Sequence, residues 1–195
     1  GVVVKFDDGK KLEAVGGTLT SRGSADRPVV LTSIADDIRG DTDGEDAAPQ
    51  AGSWIGVVFE NGSSGVLDST RVLYAGRRAV VGGAWRQAAV YCFGNAAPQI
   101  TSSEIAYSGR DGIQLTGTAA PVIRNTQFHA MEWPLRISSV EAMPAVMTGS
   151  RFDQVTYHGI RHEGVNIDGS KRITWQVLDD LPYSVGDVFI RSGSE

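Results

Sequence analysis

The sequence is poor in cysteine, lacks any long apolar run and has no excess of basic charge. Its single cysteine, Cys92, excludes an intrachain disulfide and any metal site built from several thiolates. No run of about 18 consecutive apolar residues occurs, so no segment reads as a membrane-spanning helix. Eighteen Lys and Arg stand against 23 acidic residues, a formal net charge of −5, whereas a nucleic-acid interface normally needs a basic face. The basic residues come singly or in pairs (Lys10-Lys11, Arg77-Arg78, Lys171-Arg172) and read as solvated surface. A GxSxG elbow, a phosphate-binding loop and a dinucleotide fingerprint are also missing, which leaves nucleophilic hydrolase and nucleotide roles without support.

What the sequence does contain is glycine, 24 in 195 residues, with many short β-branched runs and few helical periodicities. That composition predicts an all-β protein of one domain, or one slice of a longer one. Internal repetition narrows the expectation. Four segments align without a gap: "VLDSTRV" (66–72), "QITSSEI" (99–105), "VIRNTQF" (122–128) and "VMTGSRF" (146–152). Their apolar anchors are Leu67, Ile100, Ile123 and Met147, each followed five residues later by Val72, Ile105, Phe128 or Phe152.

A second column, "VVFEN", "VYCFG", "IQLTG", "LRISS" and "IRHEG", starts at residues 57, 90, 113, 135 and 160. The spacing is 22 to 25 residues once an insertion at "RRAVVGGAWR" (77–86) is allowed for. This period fits one coil of a parallel β-helix, a solenoid whose coils bury their inner faces only by stacking. Alternation then turns Ile113 and Leu115 inward and Gln114 and Thr116 outward. It places Val58, Glu60, Tyr91, Phe93, Arg136, Ser138, Arg161 and Glu163 on an outer face.

The stretches "GVVVKF", "GTLTSRGSADRP", "VVLTS" and "GSWIGV" resemble the opening of right-handed parallel β-helix repeat domains of the pectin-lyase-like superfamily, found in large bacterial and archaeal surface proteins. The resemblance covers about residues 1–75 through motifs and the remainder through coil periodicity. It implies a right-handed β-helix, a secreted or cell-surface location, and an acidic insert such as 35–53. "TWQVLDDLPYSVGDVFI" (174–190) resembles the lead-in to a next unit, so 1–195 reads as one module of a tandem array with 174–195 as that lead-in. Uncapped coil ends would then favour end-to-end stacking with neighbouring units.

The stretch "RGDTDGED" (39–46) is the most acidic in the chain. Asp37, Asp41, Asp43 and Asp46 offer hard oxygen ligands around a glycine bend, the donor type that calcium requires, and Asp36 could complete the shell. The alternatives are a solvated turn and an Arg39-Gly40-Asp41 integrin motif. Trp85, Tyr91 and Phe93 form a candidate glycan-stacking face, with the competing reading that the loop at 77–88 folds Trp85 down over the other two. His158 and His162 share i, i+4 spacing but lie in strand-like sequence, which predicts His162 as a satisfied core histidine. His129 is expected at a coil corner.

The function expected is therefore non-catalytic: a structural or adhesive module of a surface protein. The rival is a polysaccharide-binding or polysaccharide-cleaving β-helix, which would cluster Asp, Lys or Arg on adjacent coils.

Overall fold

The computed structural model describes residues 1–169 and 171–191. The protein is all-β: among the described residues there is no α-helix, only a short 3₁₀ turn at Asp37–Arg39. The chain repeats one circuit. The first contains β1 (Val2–Phe6), β2 (Lys11–Ala14) and β3 (Thr18–Arg22); the second β4 (Val29–Ser33), β5 (Gly56–Phe59) and β6 (Ser64–Asp68). The third holds β7 (Thr70–Leu73), an inserted hairpin of β8 (Ala79–Val81) and β9 (Ala84–Arg86), then β10 (Ala88–Cys92) and β11 (Gln99–Thr101). β12 (Glu104–Ala106), β13 (Asp111–Leu115) and β14 (Val122–Arg124) follow, then β15 (Gln127–Met131), β16 (Trp133–Ile137) and β17 (Val146–Thr148). The last strands are β18 (Arg151–Val155), β19 (Ile160–His162), β20 (Val165–Ile167), β21 (Tyr183–Val185) and β22 (Val188–Ile190).

Each circuit feeds three parallel sheets in the same order. The first sheet is β1-β4-β7-β12-β15-β18, the second β2-β5-β10-β13-β16-β19-β21, and the third β3-β6-β11-β14-β17. β20 and β22 pair separately, and among the described residues only the β8–β9 hairpin is antiparallel. The apolar anchors that align in sequence are paired in space. Leu67, Ile100, Ile123 and Met147 are successive partners in the third sheet. Val72, Ile105, Phe128 and Phe152 are successive partners in the first. The second sheet adds the row Leu12–Val57–Val90–Ile113–Leu135–Ile160–Tyr183. These rows meet in one continuous core, because no single circuit has enough apolar surface to bury itself.

The corner from the third sheet to the first is made by a single residue in the left-handed region: Ser69, Ser102, Asn125 and Gly149, with φ of 48°, 49°, 49° and 69°. Three of these are not glycine, a conformation that costs about 1–2 kcal/mol each. The backbone offsets that cost, since Ser69, Ser102 and Asn125 each donate their N–H to the carbonyl of Thr101, Arg124 and Thr148 in the next layer. Buried Thr70, Ser103 and Thr126 follow these corners and hydrogen-bond to main-chain oxygens. Gly56 is needed for a different reason: its φ is +128° and a Cβ there would lie 2.2 Å from the Ala89 carbonyl oxygen.

The C-terminal stretch belongs to the same body. Leu178 and Leu181 enter the main core, and the Asp179 carboxylate accepts a hydrogen bond from the Ser150 N–H at 3.0 Å. β21 then extends the second sheet and β22 pairs with β20. Residues 192–195 of the expected lead-in lie outside the described residues.

Candidate functional site

The acidic loop connects β4 to β5. Its strand-proximal end is fixed by Asp36, which is fully buried, accepts from the Thr32 hydroxyl at 2.7 Å and is paired with Arg39 at 2.8 Å. Asp36 is thus engaged as an anchor and does not join the acidic cluster expected of it. Asp37, Asp41 and Asp43 do converge, with one carboxylate oxygen of each within 4.8 Å of the others. Asp41 folds the tip by accepting from the Asp43 and Gly44 N–H groups. Asp46 stands outside this trio but lines the same side of the loop as Asp37.

Desolvation, then the charges of Asp43 and Asp41, push the Asp37 carboxyl above its ordinary range, against the opposing pull of Lys5. The Lys5 ammonium lies 3.9 Å from Asp37 Oδ1 and donates to the carbonyls of Ile34 and Gly40. Asp37 Oδ1 itself is buried and accepts no hydrogen bond. A trio of hard oxygens with one such orphaned atom fits a divalent cation. The residues that would hold it are Asp37, Asp41 and Asp43.

The outer face of the second sheet carries a second cluster. Tyr91, Gln114, Arg136, Arg161 and Ser184 are successive partners across five strands. Arg136 is 5% exposed and Asp111 1% exposed, and they share a two-pronged ion pair at 2.5 and 3.2 Å. Glu163 completes a triad at 3.2 Å from Arg136. Burial pushes Asp111 up and the guanidinium pulls it partly back. Burial also weakens Arg136 as a cation, but the two carboxylates outweigh it and leave its pKa raised. Arg161 does not pair with Glu163 but reaches the Ser184 hydroxyl at 3.1 Å. Beside the triad, Gln114 gives its amide N–H to Ser138 while its Oε1 is buried without a partner.

The sequence reading missed Asp111. Strict alternation groups it with inward Ile113 and Leu115, yet its carboxylate meets an outward arginine. The signal for that irregularity is Gly112, packed so closely that a Cβ would lie 2.7 Å from the Pro134 carbonyl.

Trp85, Tyr91 and Phe93 do not form a shared exposed face. Tyr91 and Phe93 do leave the core on the outer side of the sheet. However, the β8–β9 hairpin folds back over them, and with Val58, Val81 and Ala88 they make a small second core. Tyr91 is fixed there by the Ala88 N–H, which donates to its hydroxyl at 2.7 Å, and burial pushes that phenol up to about 12. Trp85 is not the covering residue; it points away and is 66% exposed, with the Arg78 guanidinium 5.0 Å from its ring.

His162 is fully buried with Nδ1 3.0 Å from the Glu163 carbonyl oxygen, but its Nε2 has no partner, so it is only half satisfied. His129 lies within β15 and pairs with Asp153 at 2.8 Å. His158 packs near Phe152. Comparison of the chain with family models, curated proteins and solved structures found no match.

Proposed function

We propose that the chain is a right-handed parallel β-helix module with a non-catalytic, structural or adhesive role in a secreted or cell-surface protein, and that such modules stack end to end. The observation that carries this reading is the set of in-register apolar rows running through three parallel sheets visited in constant order. Parallel strands joined by crossovers take the right-handed path almost without exception. The two ends supply the rest. β1 pairs with β4 alone and leaves Val2, Val3 and Val4 exposed, while Val185, Phe189 and Ile190 are exposed on β21 and β22. Such edges template further strand pairing.

The outer face supports a structural role over catalysis. Arg136 and Asp111 are buried and saturate each other, whereas a reactive pair needs open access to substrate. Calcium at Asp37, Asp41 and Asp43 would stiffen the acidic loop and take no part in chemistry.

The test is assembly. Wild-type protein should form end-to-end oligomers with a constant axial repeat in electron micrographs, and Val3→Lys should abolish that axial growth with an unchanged melting midpoint. A wild type that stays single at high concentration would sink the reading. One observation favours a second reading, polysaccharide binding. A groove of ≈ 400 Å³ follows the left-handed corner, where Ser102, Asn125, Gln127 and Arg151 point polar groups at solvent. Unsaturated product appearing on incubation with polygalacturonate would move the assignment from structural module to lyase.

A further inference from the structure

The two insertions of this fold leave the same corner in adjacent circuits. The acidic loop links β4 of the first sheet to β5 of the second, and the hairpin lies on the link from β7 to β10. Their bases touch, with Gly52 at the end of the acidic loop packed against the Gly76 carbonyl and the Arg77 backbone, while the Arg77 guanidinium pairs with Asp8 in the neighbouring β1–β2 turn. Their outer surfaces have opposite character. Residues 36–46 carry six acidic side chains and one arginine, and Asp41, Asp43, Glu45 and Asp46 are all exposed. No acidic residue occurs between Asp68 and Glu104, a stretch that includes Arg77, Arg78 and Arg86.

Apolar character is matched as well. On the hairpin, Val80 and Trp85 are cross-strand partners on its outer side, 57% and 66% exposed. Arg78 stacks on Trp85 and makes no ion pair among the described residues. On the acidic loop there is a shallow apolar pocket of ≈ 260 Å³, walled by Ile38, Ala47 and Pro49 and rimmed by Asp37 and Asp46. Ile38 at its mouth is 86% exposed.

We infer that this corner is a self-association surface. The Trp85 indole of one copy enters the apolar pocket of a second copy's acidic loop, and Arg78 faces Asp46 and Asp37 on the rim. Trp and Arg are the side chains most enriched at the energetic centres of interfaces. Opposite charge on the two elements sets the register and speeds encounter. Because both elements spring from one corner, a two-fold axis there uses each of them twice and closes the contact as an isologous dimer. This contact is lateral and independent of stacking through the strand edges at the ends.

The experiment is sedimentation velocity over a concentration series in a Val3→Lys background, which removes end-to-end growth. A monomer–dimer equilibrium is expected, weakened by salt. Trp85→Ala should raise the dissociation constant about thirtyfold, the loss typical of a hot-spot residue. Arg78→Glu should abolish the dimer, and combining it with Asp46→Arg should restore it. All of these positions are exposed, so melting midpoints should stay at the parent value. Three results overturn the inference: a monomer at every concentration, a dimer indifferent to Trp85→Ala, or a monomer that binds anionic vesicles through Trp85, which would make the hairpin a lipid contact.

Discussion

Removing Arg136 puts the buried Arg136–Asp111 pair to its sharpest test. Asp111 is 1% exposed and its two oxygens are held by the Arg136 guanidinium, so Arg136→Met leaves an ionised carboxylate in a site closed to water. Breaking a buried pair in this way costs about 3–5 kcal/mol. Glu163 adds little to the loss, because its half-exposed carboxylate can turn to solvent. Neutralising the stranded charge in Asp111→Asn/Arg136→Met should recover most of the stability.

The pH dependence follows from the direction of the Asp111 shift. Burial already raises its carboxyl above the ordinary value of 3.8, and without Arg136 only the weaker pull of Arg110 opposes that rise. In the single variant the folded state therefore binds more protons than the unfolded state between 3.8 and the raised value. Stability lost at neutral pH must return as the pH falls through the raised folded value. Urea denaturation of wild type, single and double variants from neutral pH down to about pH 4 reads all of this. A single variant that loses less than about 1 kcal/mol, or whose deficit does not shrink on acidification, would refute the reasoning.

Two further outcomes are expected. Calcium at millimolar concentration should raise the melting midpoint of wild type and leave Asp43→Ala unchanged, since a ligand that binds only the folded state stabilises it by mass action; equal midpoints in calcium and chelator would make the loop a solvated turn. Ile123→Ala, at a fully buried position inside the Leu67–Met147 row, should cost about 2–5 kcal/mol in chemical denaturation, and a cost near zero would mean that the row is not tightly packed.

The repeated layers were legible because sequence alignment and strand register are here one property. Leu67 aligns with Ile100 in sequence and is its partner in the sheet. The same holds for Ile105 and Phe128. The all-β expectation and the presence of an insertion at 77–86 could be read for that reason, though not that the insertion forms a hairpin. Side-chain traffic on the outer faces could not. Whether Tyr91 meets solvent depends on where a hairpin folds, and the hairpin's own inner face, Val81, settles it only after tertiary packing. Asp36 looked like its acidic neighbours until Thr32 and Arg39 withdrew it. Alternation also failed at Asp111, where the close approach of Gly112 to the Pro134 carbonyl marks an irregular backbone.

The parallel sheets also fix how the molecule should respond to force. Successive layers are joined by hydrogen bonds and apolar contacts, and the chain advances one layer per circuit. Tension applied to the chain ends therefore meets the layers one after another and does not shear many strands at once. Ile123 follows Ile100 by 23 residues and Met147 follows Ile123 by 24, so each released circuit would lengthen the tether by about 75–85 Å. A force–extension trace should be a staircase of nearly equal steps, giving a tether that yields by lengthening under load before it breaks.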